Sequence, residues 1–316
     1  MRSYLLRRLA LALVTLAILI VVIFILSVVV PGDTSKILTP RGTDAQLEAT
    51  RIRIGFYDPW YEKFGTLLKD IITFDFGKSF ATEGSVRDIV FPAALRSALL
   101  VGVSLIVVVP ISVAGGVIAG RNRDSLFDRA IVTVGLASAS IPDFVTAVIL
   151  QFILAIKLGW FEALASAPAD ASIFEQLWRL ALPVLVILIV YFGYIARITR
   201  AGVIEAYESD YVRTAYMKGL PESTVVRRHV LRNALQPAVA VIGTQIGFMM
   251  GGLLALEVVF DYKGIGNVIL GAALKLDPPV LQASILLIAI VFMVATLIAD
   301  LVIAWMNPRQ RLGGSQ

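Results

Sequence analysis

The stretch Asp210-Tyr-Val-Arg-Thr-Ala-Tyr-Met-Lys-Gly219-Leu-Pro, followed by His229-Val-Leu-Arg-Asn-Ala-Leu235, is polar and basic and lies between two long apolar runs. Ser209 or Asp210 can cap the first exposed N–H groups of a short helix, and Gly219 supplies a residue at ease in the left-handed conformation that stops it. Pro221 then opens a second helix as its first residue, where a missing N–H costs nothing. That helix runs into His229 and Arg232. A hydrophobic protein holding so much charged, helix-forming sequence between apolar runs marks a place where something docks.

Composition sets the surroundings. The chain has 316 residues, of which 58% are hydrophobic and 16% charged, whereas soluble domains carry about 25% charged residues. Several apolar runs reach the roughly 20 residues that a bilayer-spanning helix requires. Cysteine is absent, which excludes a disulfide framework and a thiolate site. The net charge of +5 reflects basic residues kept on the cytoplasmic side of a membrane rather than affinity for nucleic acid.

Six spans are expected: Leu9–Val30, and then about Ala94–Ala119, Ala130–Ile156, Leu180–Ile198, Ala238–Phe260 and Leu281–Ile303. The first follows Arg2, Arg7 and Arg8. It is longer than a signal-peptide core and ends in Val-Val-Val-Pro-Gly without a cleavage pattern, so it reads as an uncleaved span. Arg121, Arg123 and Arg129 lie between spans two and three. Arg197, Arg200, Arg213, Lys218, Arg227, Arg228 and Arg232 surround the long loop between four and five, and Arg309 and Arg311 form the tail. The loops around 158–178 and 261–280 hold few basic residues and several carboxylates. This asymmetry predicts both termini and the long loop inside.

The loop after span one carries Thr43-Asp-Ala-Gln46, the spacing of a capping box. Asp58-Pro59 then precedes Trp60, Phe64, Leu67, Leu68, Ile71 and Ile72, read as one helical face. That face either receives an external partner or lies on the membrane interface as an amphipathic helix.

Within the spans, Gly243, Gly247 and Gly251 recur every four residues, with Ala255 continuing the stripe, and Gly116 and Gly120 form a similar pair. Such faces let helices approach closely. Pro110, Pro142 and Pro183 can kink their helices. Asp143, in the middle of span three, is an embedded carboxyl and so a candidate for the translocation path or for a hydrogen-bonded packing role. Gln245 and Met249 on span five complete the candidate path. Glu257 and Asp300 are expected near span ends, within reach of water.

The chain offers no enzyme motif. Gly266 to Gly271 has the first spacing of a phosphate loop but continues Ala-Ala, and His229 is the sole histidine, too few for a multi-histidine zinc site. No Gly-x-Ser-x-Gly elbow occurs. Any driving energy therefore comes from an ion gradient or from an ATPase on a separate chain.

Arg213-Thr-Ala-Tyr-Met-Lys-Gly219 followed by His229-Val-Leu-Arg-Asn-Ala-Leu-Gln-Pro237 resembles the cytoplasmic coupling motif of ABC importer permeases of the dipeptide/oligopeptide/nickel family. Asp58-Pro-Trp-Tyr, Asp75-Phe-Gly-Lys-Ser79, Ser140-Ile-Pro142, Leu158-Gly-Trp160, Glu257-Val-Val-Phe-Asp-Tyr-Lys-Gly264-Ile-Gly266 and Asn307-Pro-Arg309 echo family positions in order, so the likeness covers nearly the whole chain. Three departures stand out. Arg213-Thr214 replaces the Glu-Ala of the general motif, as in the peptide branch; Asp143 stands where a small or uncharged residue is usual; and Pro221 replaces serine.

The resemblance implies an all-α membrane protein with six transmembrane helices, the type I ABC importer permease fold and a largely helical external loop. Residues 1–93 would hold the first helix and that loop. Residues 94–306 would form the five-helix core with the coupling loop at about 199–235, and 307–316 a cytoplasmic tail. Implied partners are a homologous permease, two cytoplasmic ATPase subunits or domains that use ATP and Mg, an external solute-binding protein and the bilayer of a bacterial or archaeal cytoplasmic membrane, with no cofactor on this chain. Asp210, Tyr211, Val212, Arg213, Thr214, Ala215, Tyr216, Lys218 and Gly219 would couple to the ATPases. Tyr211 and Ala215 fall on one face with Val212 and Tyr216 beside it, an aromatic and small-residue knob rimmed by Arg213 and Lys218. Peptides are the implied cargo, with nickel chelates, glutathione or oligosaccharides as alternatives. A gradient-driven transporter would instead call for paired carboxylates and an inverted repeat, and the sequence offers a single central carboxylate and no clear repeat.

Overall fold

A computed structural model describes residues 2–29, 34–39, 42–168 and 170–306. The tail Arg309 and Arg311, the Asn307-Pro-Arg309 motif and the Val30-Pro-Gly end of the first span lie outside the described residues. The chain folds as helices in sequence: α1 (Arg2–Val29), α2 (Thr34–Leu38), α3 (Asp44–Arg53), α4 (Trp60–Thr73), α5 (Val86–Arg121), α6 (Leu126–Ser140), α7 (Asp143–Leu150), α8 (Ile173–Arg179) and α9 (Ala181–Glu208). Then follow α10 (Asp210–Met217), α11 (Glu222–Thr224), α12 (Leu231–Ala234), α13 (Gln236–Gly252), α14 (Leu254–Val259), α15 (Ile265–Leu274) and α16 (Pro278–Met306).

Among the described residues, four helices are each long and apolar enough to cross a membrane, namely α1, α5, α9 and α16, and two bent pairs make up to six spans. The expected third span is broken. Ile141 is extended (φ −97°, ψ 125°) because the Pro142 ring clashes with a helical residue before it, and the two halves meet at 101°. After α7 the helix continues through Lys157 with wider, π-type turns. The fifth span starts earlier than expected, pairing Glu222–Ala234 with Gln236–Gly252 at a bend of 46°. It also ends earlier, because adjacent Gly251 and Gly252 weaken the helix; Ala255 therefore sits in the separate α14 and does not continue the stripe. Helix α5 has 36 residues, about 54 Å at 1.5 Å per residue, and so projects beyond a bilayer. Pro183 lies in the first turn of α9, where proline is tolerated, rather than kinking a helix interior. The loops expected around 158–178 and 261–280 contain α8 and α15.

Glycines set the closest approaches. At Gly243 a Cβ would lie 2.4 Å from the Ala299 Cβ, and at Gly247 it would lie 1.8 Å from the Phe292 ring, so this stripe of α13 faces α16. Gly116 and Gly120 face Ala196 and Val203 of α9 at 2.4 and 2.8 Å on the same measure. Gly135 of α6 and Gly193 of α9 meet backbone to backbone, a Cβ at Gly193 falling 2.1 Å from the Gly135 Cα. The main apolar core (Leu100, Val108, Leu182, Ile187, Met249 and Phe260) fills the space between α5, α9, α13 and α14.

Outside the bundle, Thr43 and Gln46 form the capping box in full, each side chain meeting the other's backbone N–H. Helix α4 splits its apolar residues. Leu67 is buried and Phe64 packs edge-on against Phe24 of α1 at 5.0 Å, whereas Trp60, Leu68 and Ile72 are exposed. The single face expected from the sequence is thus two strips, one against α1 and one open. The arm that follows is fixed by Asp277, 2% exposed, whose carboxylate accepts from the Ser79 hydroxyl and from the N–H groups of Phe80 (3.1 Å) and Ala81 (3.3 Å).

Candidate functional site

Helix α9 runs into Ser209, which turns the chain into α10. Neither expected cap forms: Ser209 takes the N-cap position, but its hydroxyl donates back to the Ala206 carbonyl. The other end follows the sequence closely. Gly219 has φ +71°; its N–H reaches the Tyr216 carbonyl (2.9 Å), and the Leu220 N–H reaches that of Ala215 (3.3 Å). These two bonds define the Schellman ending, which satisfies carbonyls the helix cannot reach itself.

Val212 and Ala215 are buried, at 1% and 2% exposure, with Val203, Ala206, Val225, Val230 and Ala234 of the same chain. They therefore seat α10 on its own protein and are not part of an outward knob. Burying Val212 alone is worth about 1.5–3 kcal/mol. The outward surface is Tyr211, Arg213, Thr214, Tyr216, Met217 and Lys218, with Asp210 at its start.

Pro221 stands one residue before the second helix, as its N-cap. The chain from Val225 to Val230 takes wider, π-type turns and holds half-buried His229. Gly202 of α9 lets Ala234 approach, since a Cβ there would lie 2.3 Å from the Ala234 carbonyl oxygen. Arg232 donates to the Met306 carbonyl at the end of α16 (2.9 Å).

The α5–α6 turn meets this segment on both flanks. Arg121 pairs with Glu222 (2.5 Å), the first residue of α11, and Arg123 pairs with Glu208 (3.0 Å), at the end of α9 just before α10. Both pairs are exposed, and such pairs contribute about 0–1 kcal/mol each. A third pair is shielded: Arg200 of α9 grips both oxygens of Asp128 in the first turn of α6, with side-chain exposures of 23% and 3%. Asp128 also accepts the Asp124 N–H (2.9 Å). Sequence reasoning missed Asp128, Glu208 and Glu222. The signal for Asp128 was its Ser125-x-x-Asp128 spacing, and Ser125 does cap α6 through the Asp128 N–H.

The three candidate path residues differ in burial. Asp143 is half-buried at the break before α7, its carboxylate accepting the Phe144 N–H (2.8 Å). Gln245 is half-buried, and Met249 is 2% exposed within the core.

Glu257 is not near water as expected, but 1% exposed. It accepts from the Ser97 hydroxyl of α5 and the Asn267 N–H (3.1 Å) at the start of α15. Ser97 in turn accepts the Ile265 N–H (2.8 Å). A carboxylate at a helix N-terminus meets unsatisfied donors and the positive end of the dipole. Gly264 leaves the room it needs, since a Cβ there would lie 2.1 Å from Glu257 Oε1. Nearby, burial and then the Glu257 carboxylate push the Tyr262 hydroxyl up to about 12, so it remains a donor to the Arg96 carbonyl (2.7 Å). The 257–266 motif is thus a clasp between α5, α14 and α15. Asp300, with 15% side-chain exposure, pairs with Arg8 of α1 at 3.1 Å.

Residues 112–312 match the family described as binding-protein-dependent transport system inner membrane component, and residues 1–113 match its N-terminal region. The chain is 30% identical over 315 residues to a Brucella abortus (strain 2308) protein named as a peptide transport system permease, covering 98% of this chain and 99% of that one. It is 32% identical over 313 residues to the glutathione transport system permease protein of Escherichia coli (strain K12), covering 98% and 99%. The chain, with its apolar spans, belongs to the binding-protein-dependent transport system inner membrane component family and is a multi-pass inner-membrane permease subunit of an ABC importer.

Proposed function

We propose that this chain forms half of the translocation path of a peptide importer. It pairs with a homologous permease, is driven by two cytoplasmic ATPase subunits or domains that bind ATP and Mg, and receives cargo from an external solute-binding protein. The observation that carries the coupling role is the outward surface of α10: two aromatic rings, Met217 and a basic rim on a helix whose opposite side is anchored in its own chain. Such a surface suits a groove on a partner. Closure of the ATPase pair moves α10 with α9, which rocks the spans between outward- and inward-facing states.

Both termini and the coupling segment are cytoplasmic in this reading, and the α1–α5 loop is external. The basic residues of the 121–129 and 197–232 regions support it. Further support comes from Arg8 pairing with Asp300 and Arg232 bonding Met306, contacts that gather both ends of the bundle near the coupling segment. A reporter fused after Ser223 is expected to read cytoplasmic and one near Lys63 external; finding both on one side would overturn the lever.

The names of the relatives favour short peptides, glutathione being one itself. Asp143 at the α6–α7 break offers a counter-charge to a peptide ammonium group, held weakly so that release is not stalled. In proteoliposomes holding the complete complex and its binding protein, ATP should drive accumulation of a labelled tripeptide. Asp143→Asn should reduce uptake of free-ammonium peptides more than of N-acetylated ones. Accumulation of a nickel chelate or an oligosaccharide with no peptide would refute the peptide reading, and equal effects on the two peptide forms would refute the role of Asp143.

A further inference from the structure

We infer that the α5–α6 turn is a second element of coupling, a bracket that makes α6 travel with the coupling helix, and that Asp128 and Arg200 are its positioning residues. The inference rests on the lever reading of α10 and adds the route by which motion reaches the broken span.

Three ion pairs leave one short stretch, residues 121–128, and all end on the coupling segment or the helix leading into it. Arg123 holds Glu208, the last residue of α9 and two residues before α10, and Arg121 holds Glu222, the first residue of α11 across a four-residue turn after α10. A helix pinned on a single flank can swivel about that contact, whereas one pinned on both is held in orientation. The exposed pairs set direction but are weak and screened by salt. The rigid member is the third. Arg200 meets Asp128 through two nitrogens, a geometry that fixes angle as well as distance.

Asp128 is locked in turn by the Asp124 N–H and by the Ser125 cap. Asp124 itself holds a left-handed backbone at φ +64°, so the turn is shaped around the carboxylate. Farther along the same two helices, Gly135 and Gly193 meet backbone to backbone. Helices α6 and α9 are therefore joined at two levels, one ionic near the coupling segment and one by close packing within the span. A body joined at two points transmits a rotation, and α6 ends at the Ile141–Pro142 break that carries Asp143. Motion of α10 thus arrives at that break.

The test uses the assembled importer in nanodiscs. The chain has no cysteine, so Leu126→Cys and Ser223→Cys place two spin labels, one on exposed α6 and one beyond α10. Their separation should be the same without nucleotide and with ATP trapped. In an Asp128→Asn/Arg200→Met background the separation should change between the two states. That double variant leaves no unpaired charge, and Asn keeps the acceptor for Asp124, so assembly should resemble wild type, unlike either single change. ATP consumed per peptide imported should rise by roughly two- to thirtyfold, the range seen for sites that touch neither ligand. A nucleotide-dependent change in the unmutated pair would overturn the bracket. So would an unchanged distance in the double variant, or full restoration of import with assembly, which would mark the pair as purely structural. The label distances need no cargo, so they decide the bracket even if peptide is the wrong substrate.

Discussion

Gly219→Val is expected to leave the assembled importer able to bind ATP but badly impaired in moving its cargo. A Cβ at Gly219 would meet nothing within 4 Å, so the change introduces no clash and acts on the backbone alone. At φ +71° the left-handed conformation costs an L-residue about 1–2 kcal/mol, and a β-branched side chain lies toward the upper end. Relaxing φ breaks the bonds from Gly219 and Leu220 to Tyr216 and Ala215, so α10 loses its ending and turns its outward surface away from the ATPase proposed to dock there. Uptake should fall by about tenfold or more, since roughly 1.4 kcal/mol is a factor of ten. Asparagine, which tolerates this region, should do less harm. Vesicle uptake and nucleotide binding measured on the same preparation check this, and normal import by the valine variant would remove Gly219 from the coupling mechanism.

Gly193→Ala should be the most damaging single methyl in the bundle. The added carbon would fall 2.1 Å from a backbone atom, the Gly135 Cα, and no rotamer change can relieve that. Helices α6 and α9 must separate along their whole contact, and overpacking of this kind costs about 1–3 kcal/mol, occasionally more. Gly247→Ala meets the Phe292 ring at 1.8 Å, but a side chain can swing aside, so its effect should be smaller. Gly65→Ala, with nothing within 4 Å inside α4, should be neutral or stabilising. Melting temperatures of the purified complex should fall in the order Gly65→Ala, Gly247→Ala, Gly193→Ala. A Gly193→Ala protein as stable as wild type would show that the two backbones are not in contact.

Apolar run length revealed the spans, and Gly219 revealed the end of α10, because both are local properties. The capping box at Thr43 was legible for the same reason. Properties that depend on distant partners were not. Nothing near Glu257 in sequence announces Ser97, 160 positions away, so a carboxyl close to a span end read as wet. The inward turn of Val212 and Ala215 depends on Val225 and Val230 folding back beneath α10, which the periodicity of eight helical residues cannot tell from an outward face. The break at Pro142 was visible, but its sharpness was not, since a proline specifies that a helix ends and leaves the onward direction to packing. The pairing of Arg200 was hidden because a count of basic residues near a loop does not say which of them are already neutralised.

The Ser79–Asp277 contact also sets an order of events during synthesis. Its two residues are 198 positions apart, an interval that translation at about 5–20 residues per second covers in roughly 10–40 s. In the proposed orientation this arm is exported early, and for that time it has nothing to hold its Ser79 hydroxyl or the Phe80 and Ala81 N–H groups. It is completed only when the N-terminus of the last span follows it across. The arm thus records that the chain has been threaded to its final helix, and a truncated or stalled product would expose it to surface proteases that the finished protein resists.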